Sequence, residues 1–88
     1  MFINMLERSQ AVDTILYIGN NPGHSRTQIV FSNGKSNARA RLSRVIDLIH
    51  EGLAEARNED GRWTIYLTDK GMHVFEFLST VENTLKGR

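Results

Sequence analysis

The pentapeptide Gly19-Asn20-Asn21-Pro22-Gly23 limits the length of every helix in the amino-terminal part of this chain. Glycine and asparagine accept left-handed backbone angles, and proline has no amide hydrogen to donate inside a helix. A regular helix or strand is therefore not expected to pass through these residues. The turn triplet Ser32-Asn33-Gly34 follows soon afterwards, so any helix between the two breaks must be short.

Apolar residues recur at helical spacing on both sides of these breaks. A first helix is predicted over residues 9–18, with apolar side chains at Val12, Ile15, Leu16 and Ile18. Ser25 is a favourable N-cap for a second helix of about two turns. Ser36 is the N-cap predicted for a third helix, which ends before Gly52. The buried stripe of this third helix is predicted to consist of Ala38, Leu42, Val45 and Ile49.

The rest of the chain predicts a β-hairpin and a last helix. Strands over residues 53–57 and 63–67 flank a turn at 58–62, and the second strand is expected to bury Trp63, Ile65 and Leu67. Thr68 is the predicted cap of a helix that runs to about Lys86. We therefore expect an α+β chain, mostly α, in which a winged helix-turn-helix is followed by a long C-terminal helix.

Length and composition narrow the class further. Eighty-eight residues allow one domain, with residues 1–68 as the winged helix-turn-helix module with its short amino-terminal extension and 69–88 as the C-terminal helix. The absence of cysteine excludes a disulfide scaffold and fits a cytoplasmic protein. No apolar run approaches the roughly 20 residues that span a bilayer, so a membrane partner is not expected.

The sequence contains no motif that indicates catalysis. The three histidines share no metal-ligand spacing, no serine stands in a nucleophile elbow, and no glycine-rich phosphate loop is present. We therefore predict that the protein is not an enzyme, with no catalytic residue, no metal, no cofactor and no small-molecule ligand.

The charges are sorted along the chain although their total is only +1. Residues 24–46 contain five basic and no acidic side chains, while the other 65 residues contain six basic and ten acidic ones. A basic segment on an acidic body is typical of a surface that binds a polyanion. The segment includes the second helix and much of the third, which indicates contact between this part of the chain and double-stranded DNA.

The third helix is predicted to enter the major groove from its start near Ser36. Small residues face away from the predicted core and arginines flank them, and arginine donates in pairs to guanine. Arg57 and Arg62 in the wing are predicted to contact the backbone. The full set of predicted DNA-binding residues is Arg26, Lys35, Ser36, Asn37, Arg39, Ala40, Arg41, Ser43, Arg44, Arg57 and Arg62. The alternative is a winged helix that contacts another protein and does not bind specific DNA.

The last helix carries more apolar residues than one small domain can cover, which predicts a homodimer. The residues expected in the dimer interface are Val74, Phe77, Leu78, Val81 and Leu85. A coil this short is not stable alone, so the amino-terminal residues Phe2, Ile3, Met5 and Leu6 are expected to complete the interface.

Several segments carry a resemblance to a known family over residues 9–86. They are Ile15-Leu16 with Ile18, Asn21-Pro22-Gly23, residues 27–29, residues 42–53 and Tyr66-Leu67-Thr68-Asp69-Lys70-Gly71. With these motifs the chain resembles small archaeal winged-helix transcriptional regulators, including DNA-binding proteins that dimerise through a C-terminal antiparallel coiled coil. The acidic wing tip, at Glu59 and Asp60, departs from the family pattern. The resemblance implies DNA binding as a homodimeric transcription regulator.

Overall fold

The computed structural model describes residues 8–86. Its helices are α1 (Ala11–Asn20), α2 (Arg26–Val30), α3 (Ala38–His50) and α4 (Asp69–Lys86), with a 3₁₀ turn at Lys35–Asn37. Its strands, β1 (Ala54–Glu59) and β2 (Arg62–Leu67), form one antiparallel hairpin. The predicted α+β order, mostly α, is therefore confirmed. The amino-terminal apolar residues Phe2, Ile3, Met5 and Leu6 lie outside the described residues.

Local sequence accounts for the bounds of α1 and α2. Helix α1 continues to Asn20, within the predicted break, and the backbone N–H of Asn21 then donates to Ile18. Ser25 caps α2 as predicted: its Oγ accepts from the Gln28 backbone N–H at 3.2 Å, and its own N–H donates to Gln28 Oε1 at 2.8 Å. This reciprocal pair satisfies two of the amide donors that a helix start leaves unpaired.

The start of α3 differs from the prediction. Ser36 lies inside the 3₁₀ turn, and Asn37 occupies the N-cap position without a capping hydrogen bond from its side chain. Gly34, with φ of 84°, leads the chain into the turn, and the Asn37 backbone N–H donates to its carbonyl. The prediction of Ser36 as N-cap is therefore wrong, because this tighter turn takes the place of the first helical turn.

The buried side of α3 also differs. Val45 and Leu48 are buried as apolar residues, but the third member of their stripe is Arg41. Leu42 and Ile49, which the apolar spacing placed in the core, are 37% and 39% exposed. The predicted stripe is wrong at these two positions because Gln10, the N-cap residue of α1, and Ser32, in the turn after α2, accept hydrogen bonds from the Arg41 guanidinium. The side of α3 that carries Arg41 can therefore be buried.

The hairpin turns at Asp60 and Gly61, both with positive φ, as a type I′ turn requires. Beside β2, the Ile65 N–H donates to the His24 carbonyl at 3.1 Å, which ties the hairpin to the residues before α2. Ile65 is buried as predicted, but Trp63 is 50% exposed. The prediction of a buried Trp63 is therefore wrong. The first two residues of β2 are both exposed, and only the later ones reach the core.

A polar junction fixes the start of α4 to the end of α3. Thr68 Oγ1 donates to the Gly52 carbonyl at 2.6 Å and accepts from the Gly71 N–H at 3.1 Å. The Thr68 N–H donates to the Leu53 carbonyl, and Lys70 Nζ donates to the Glu51 carbonyl at 3.3 Å. Gly71 is required because a Cβ there would overlap the Leu53 carbonyl oxygen. The Tyr66–Gly71 string thus joins the third helix to the last one.

The core is shared by α1, α2, α3, the hairpin and the first half of α4. Its buried apolar members are Ala11, Ile15, Ile18, Ile29, Val45, Leu48, Leu53, Ala54 and Ile65. Val74, Phe75 and Leu78 of α4 pack against this cluster. Val74 and Leu78, which the sequence assigns to a dimer interface, are half-buried, so the chain's own core already covers part of both side chains.

Candidate nucleic-acid interface

The basic segment forms one face made of α2, the 3₁₀ turn and α3. Arg26, Lys35 and Arg39 are exposed on it, and their side chains form no ion pair or hydrogen bond with any residue in the range 8–86. Ser36 is exposed as well, whereas Asn37, Ala40 and Ser43 are half-buried. Three uncompensated positive charges therefore lie around the start of α3.

Arg41 does not belong to this face. Its side chain lies in the interior, where Nη1 donates to Ser32 Oγ at 3.0 Å and Nη2 donates to Gln10 Oε1 at 3.1 Å. The guanidinium carbon stands 5.8 Å from the centre of the Tyr17 ring. Burial lowers the pKa of Arg41, and the nearby Asp13 carboxylate partly opposes this effect. The predicted contact of Arg41 with DNA is therefore corrected: only 4% of the residue is exposed.

Arg41 belongs to a polar network that shapes the α2–α3 turn. Gln10, which has a left-handed φ of 68°, accepts from both Arg41 and the Asn33 amide through one oxygen. The Tyr17 hydroxyl and His24 Nδ1 are hydrogen-bonded at 2.9 Å on the other side. The spacing of residues along α3 could not reveal this network, because the acceptors for Arg41, Gln10 and Ser32, lie outside that helix.

Arg44 is only partly available for DNA. Its Nε lies 3.0 Å from Asp47 Oδ2, and Arg8 Nη1 lies 3.0 Å from the same oxygen. The side chain of Arg44 is 13% exposed. A phosphate at Arg44 would compete with this carboxylate, so the charge of Arg44 contributes less to the face than that of Arg39.

The two wing arginines have different surroundings. Arg57 Nη2 lies 2.6 Å from Glu55 Oε2, and its guanidinium covers the Tyr66 ring at 4.2 Å. The hydrogen bond that Arg57 donates to the Glu55 carboxylate raises the pKa of Arg57, whose charge is already compensated. Arg62 is exposed, and its Nη2 reaches Gln28 Oε1 at 3.4 Å. Because Arg62 forms no ion pair within residues 8–86, it is the wing arginine better placed to meet an anion.

Sequence reasoning missed an apolar groove between α2 and α3. Its volume is about 490 Å³, and its lining residues include Val30, Phe31, Leu42 and Ile46. Phe31 and Ile46 are 51% and 48% exposed. The sequence pattern could not show that these two side chains lie outside the core. Which face of α3 is buried depends on how the helix is rotated about its axis in the fold.

Other kinds of site are not formed by the described part of the chain. Within residues 8–86, no cluster of three or more histidine, aspartate or glutamate side chains has the arrangement needed to hold a metal ion. None of the helices in this range combines the length and apolar character that crossing a bilayer requires.

No family model matches the sequence, and no curated protein matches it. Solved structures do match. One from Thermoplasma volcanium GSS1, described as a possible HxlR family transcriptional factor, is 25% identical with a TM-score of 0.84, over 98% of this chain and 79% of that one. F-93 of SSV1 is also 25% identical, with a TM-score of 0.71, over 88% of this chain and 89% of its own.

The protein has the winged-helix fold. Its hairpin is the wing, and α2 and α3 are the helix-turn-helix pair. MepR of Staphylococcus aureus, described as a transcription regulator of a multidrug efflux pump, has the same fold at 13% identity and a TM-score of 0.77, over 98% of this chain and 66% of that one. The expected resemblance to winged-helix transcription regulators, archaeal ones included, is therefore confirmed. The Thermoplasma protein and MepR are described as transcription regulators and not as enzymes. This agrees with the prediction that the present chain is not an enzyme.

Proposed function

We propose that this winged-helix protein is a homodimeric transcription regulator that binds double-stranded DNA with the start of α3 in the major groove. The main support is a set of cations around that helix start that form no ion pair within residues 8–86, namely Arg26, Lys35 and Arg39. A structure of MepR in complex with DNA, at 19% identity and a TM-score of 0.68, adds support from the fold. Exposed cations that have no acidic partner within residues 8–86 are suited to phosphate oxygens.

Within this face the roles differ by position. Arg39 points outward from the first turn of α3, and we assign it to a base edge, because its guanidinium can donate two hydrogen bonds to guanine. Arg26 is the first residue of α2 and Lys35 begins the 3₁₀ turn before α3, and we assign both to phosphates. Ala40 and Ser43 are small, which allows the helix backbone to approach the groove closely.

Duplex titration at several salt concentrations tests the proposal. Arg26 and Lys35 of each chain are assigned to phosphates, which makes four phosphate contacts in a dimer. The expected log-log slope of affinity against salt is therefore about −3.6, since each neutralised phosphate contributes about −0.9. The substitution Arg39→Gln is expected to weaken binding about tenfold. Lys70→Gln removes the same charge at the start of α4 and serves as the control, with an expected change below about twofold.

An absence of binding to random duplex at about 50 mM salt would overturn the proposal. That result would favour the alternative, a winged helix used for contact with another protein. Equal losses for Arg39→Gln and Lys70→Gln would show that general electrostatic attraction, and not α3, holds the DNA.

The dimer is proposed on the outer half of α4. Phe77, Val81 and Leu85 repeat every four residues and are 68%, 42% and 70% exposed, so they form one apolar stripe beyond the core. Pairing with the same stripe of a second chain would remove these side chains from water.

Sedimentation tests this interface. We expect Phe77→Glu, and truncation after Thr80, to give monomers. Asn83→Glu on the opposite side of α4 is the control that leaves association unchanged, and a dimer that survives Phe77→Glu would place the interface elsewhere.

A further inference from the structure

A small cleft separates the start of α2 from the start of β2. Its volume is about 240 Å³, and it is lined by Ser25, Arg26, Thr27, Gly61, Arg62 and Trp63. Trp63 is the only tryptophan of the chain, and half of its surface is exposed to solvent. The fold does not use this indole in its core, although tryptophan is the largest apolar side chain available.

The walls of the cleft are positively charged. Arg26 and Arg62 contribute two guanidinium groups, and none of the six lining residues is acidic. Arg62 is held by Gln28 Oε1, which the Ser25 N–H in turn fixes through the capping box of α2. The helix cap therefore also positions one arginine of the cleft.

The acid nearest to Arg62 in the strand register is directed elsewhere. Glu59 pairs with Arg62 across the hairpin, but its carboxylate accepts hydrogen bonds from the hydroxyls of Thr64 and Tyr66 at 2.9 and 3.0 Å. The Glu59 carboxylate is therefore directed toward β2, and within residues 8–86 it forms no ion pair with Arg62.

A flat apolar ring beside two guanidiniums matches a ligand with an anionic group next to an apolar ring. In duplex DNA the bases are stacked inside, and the backbone presents deoxyribose beside phosphate. We propose that this cleft binds one sugar-phosphate unit of duplex DNA, with Arg26 and Arg62 on the phosphate and Trp63 against the deoxyribose. The inference rests on the proposed function and adds a contact, Trp63, that carries no charge.

The single tryptophan makes the contact directly observable. Titration of the full chain with duplex DNA is expected to change the emission of Trp63 in step with the anisotropy of a labelled duplex. Trp63→Ala is expected to weaken binding about tenfold without changing the salt slope, because an indole releases no counterions. Trp63→Phe keeps an apolar ring and is expected to restore most of the affinity.

Arginine variants test the other half of the cleft. Arg62→Gln is expected to reduce the magnitude of the salt slope by about 0.9 for each chain. Arg57→Gln removes the same charge from the same hairpin, but Arg57 is already paired with Glu55, so this control is expected to change the slope much less. Circular dichroism of each variant establishes that the fold is retained.

The outcomes separate the two proposals. If no duplex binds at low salt, the proposed function fails and the cleft proposal fails with it. If duplex binds while the Trp63 emission stays constant and Trp63→Ala binds like the unmodified chain, only the cleft proposal is overturned. The same holds if Arg62→Gln and Arg57→Gln change the salt slope equally.

Discussion

Replacing Arg41 with alanine should destabilise the fold and leave the DNA-binding face intact. The side chain forms hydrogen bonds with Ser32 and Gln10, and each is worth about 1 kcal/mol net. Its two methylene groups beyond Cβ contribute about 0.8 kcal/mol each when buried. Removal of the buried charge returns part of this energy, because Arg41 Nε has no hydrogen-bond partner among residues 8–86. The expected net loss is about 2 kcal/mol.

A loss of this size lowers the melting temperature by about 8 to 16 °C for a domain of this length. Denaturant unfolding followed by circular dichroism measures it directly, at one fixed protein concentration because dimerisation adds to stability. Arg41→Met is the informative second variant. It keeps the buried stem and removes the charge, and we expect it to lose less than about 1 kcal/mol. Ser32 and Gln10 keep other partners, Ile29 and Asn33 respectively, in either variant.

Arg39→Ala is expected to have the opposite effect to Arg41→Ala, a loss of DNA affinity with little loss of stability. Arg39 is exposed and unpaired within residues 8–86, so its loss should change stability by less than about 0.5 kcal/mol while DNA binding weakens. Affinities are compared at a temperature where every variant is folded. The reasoning is refuted if Arg41→Ala retains the stability of the unmodified chain and loses DNA affinity as Arg39→Ala does.

Three further substitutions test the framework that positions this face. Gly71→Ala adds a good helix former, which ordinarily stabilises a helix by about 1 kcal/mol, but here thermal unfolding should show a lower melting temperature because the new Cβ overlaps the Leu53 carbonyl. Gly19→Ala should also lower it, since the added methyl would meet the Phe75 ring and separate α1 from α4; an unchanged melting temperature would contradict that packing. Ser25→Ala removes the cap of α2 and should cost about 1 kcal/mol in denaturant unfolding, and a loss near zero would show that the capping box is unimportant.

Local sequence was sufficient to predict the element order. The break at residues 19–23, the cap at Ser25 and the turn near Gly61 depend on the backbone preferences of a few adjacent residues. These preferences act before any tertiary contact forms, so they can be read along the chain. The positive charge of residues 24–46, which contain no acidic residue, is likewise a property of the sequence.

Tertiary structure decided which side of each element faces the core. On α3, the spacing of Leu42 and Ile49 fits a buried stripe as well as that of Arg41 and Leu48, yet the fold buries the second pair. Arg41 can be buried because Gln10 and Ser32 accept hydrogen bonds from its guanidinium. These residues lie 31 and 9 positions away in the sequence, and only the fold brings them to Arg41.

The same reason applies to the wing. The alternation of β2 placed Trp63 with Ile65, but only the later residues of the strand reach the core, and Trp63 remains at the surface beside Arg26 and Arg62. The sequence by itself determined the order of elements and the sign of the charge near α3. Only the packing of helices and hairpin decided which arginines are free to bind, because pairing with a carboxylate or an amide requires partners that the fold brings together.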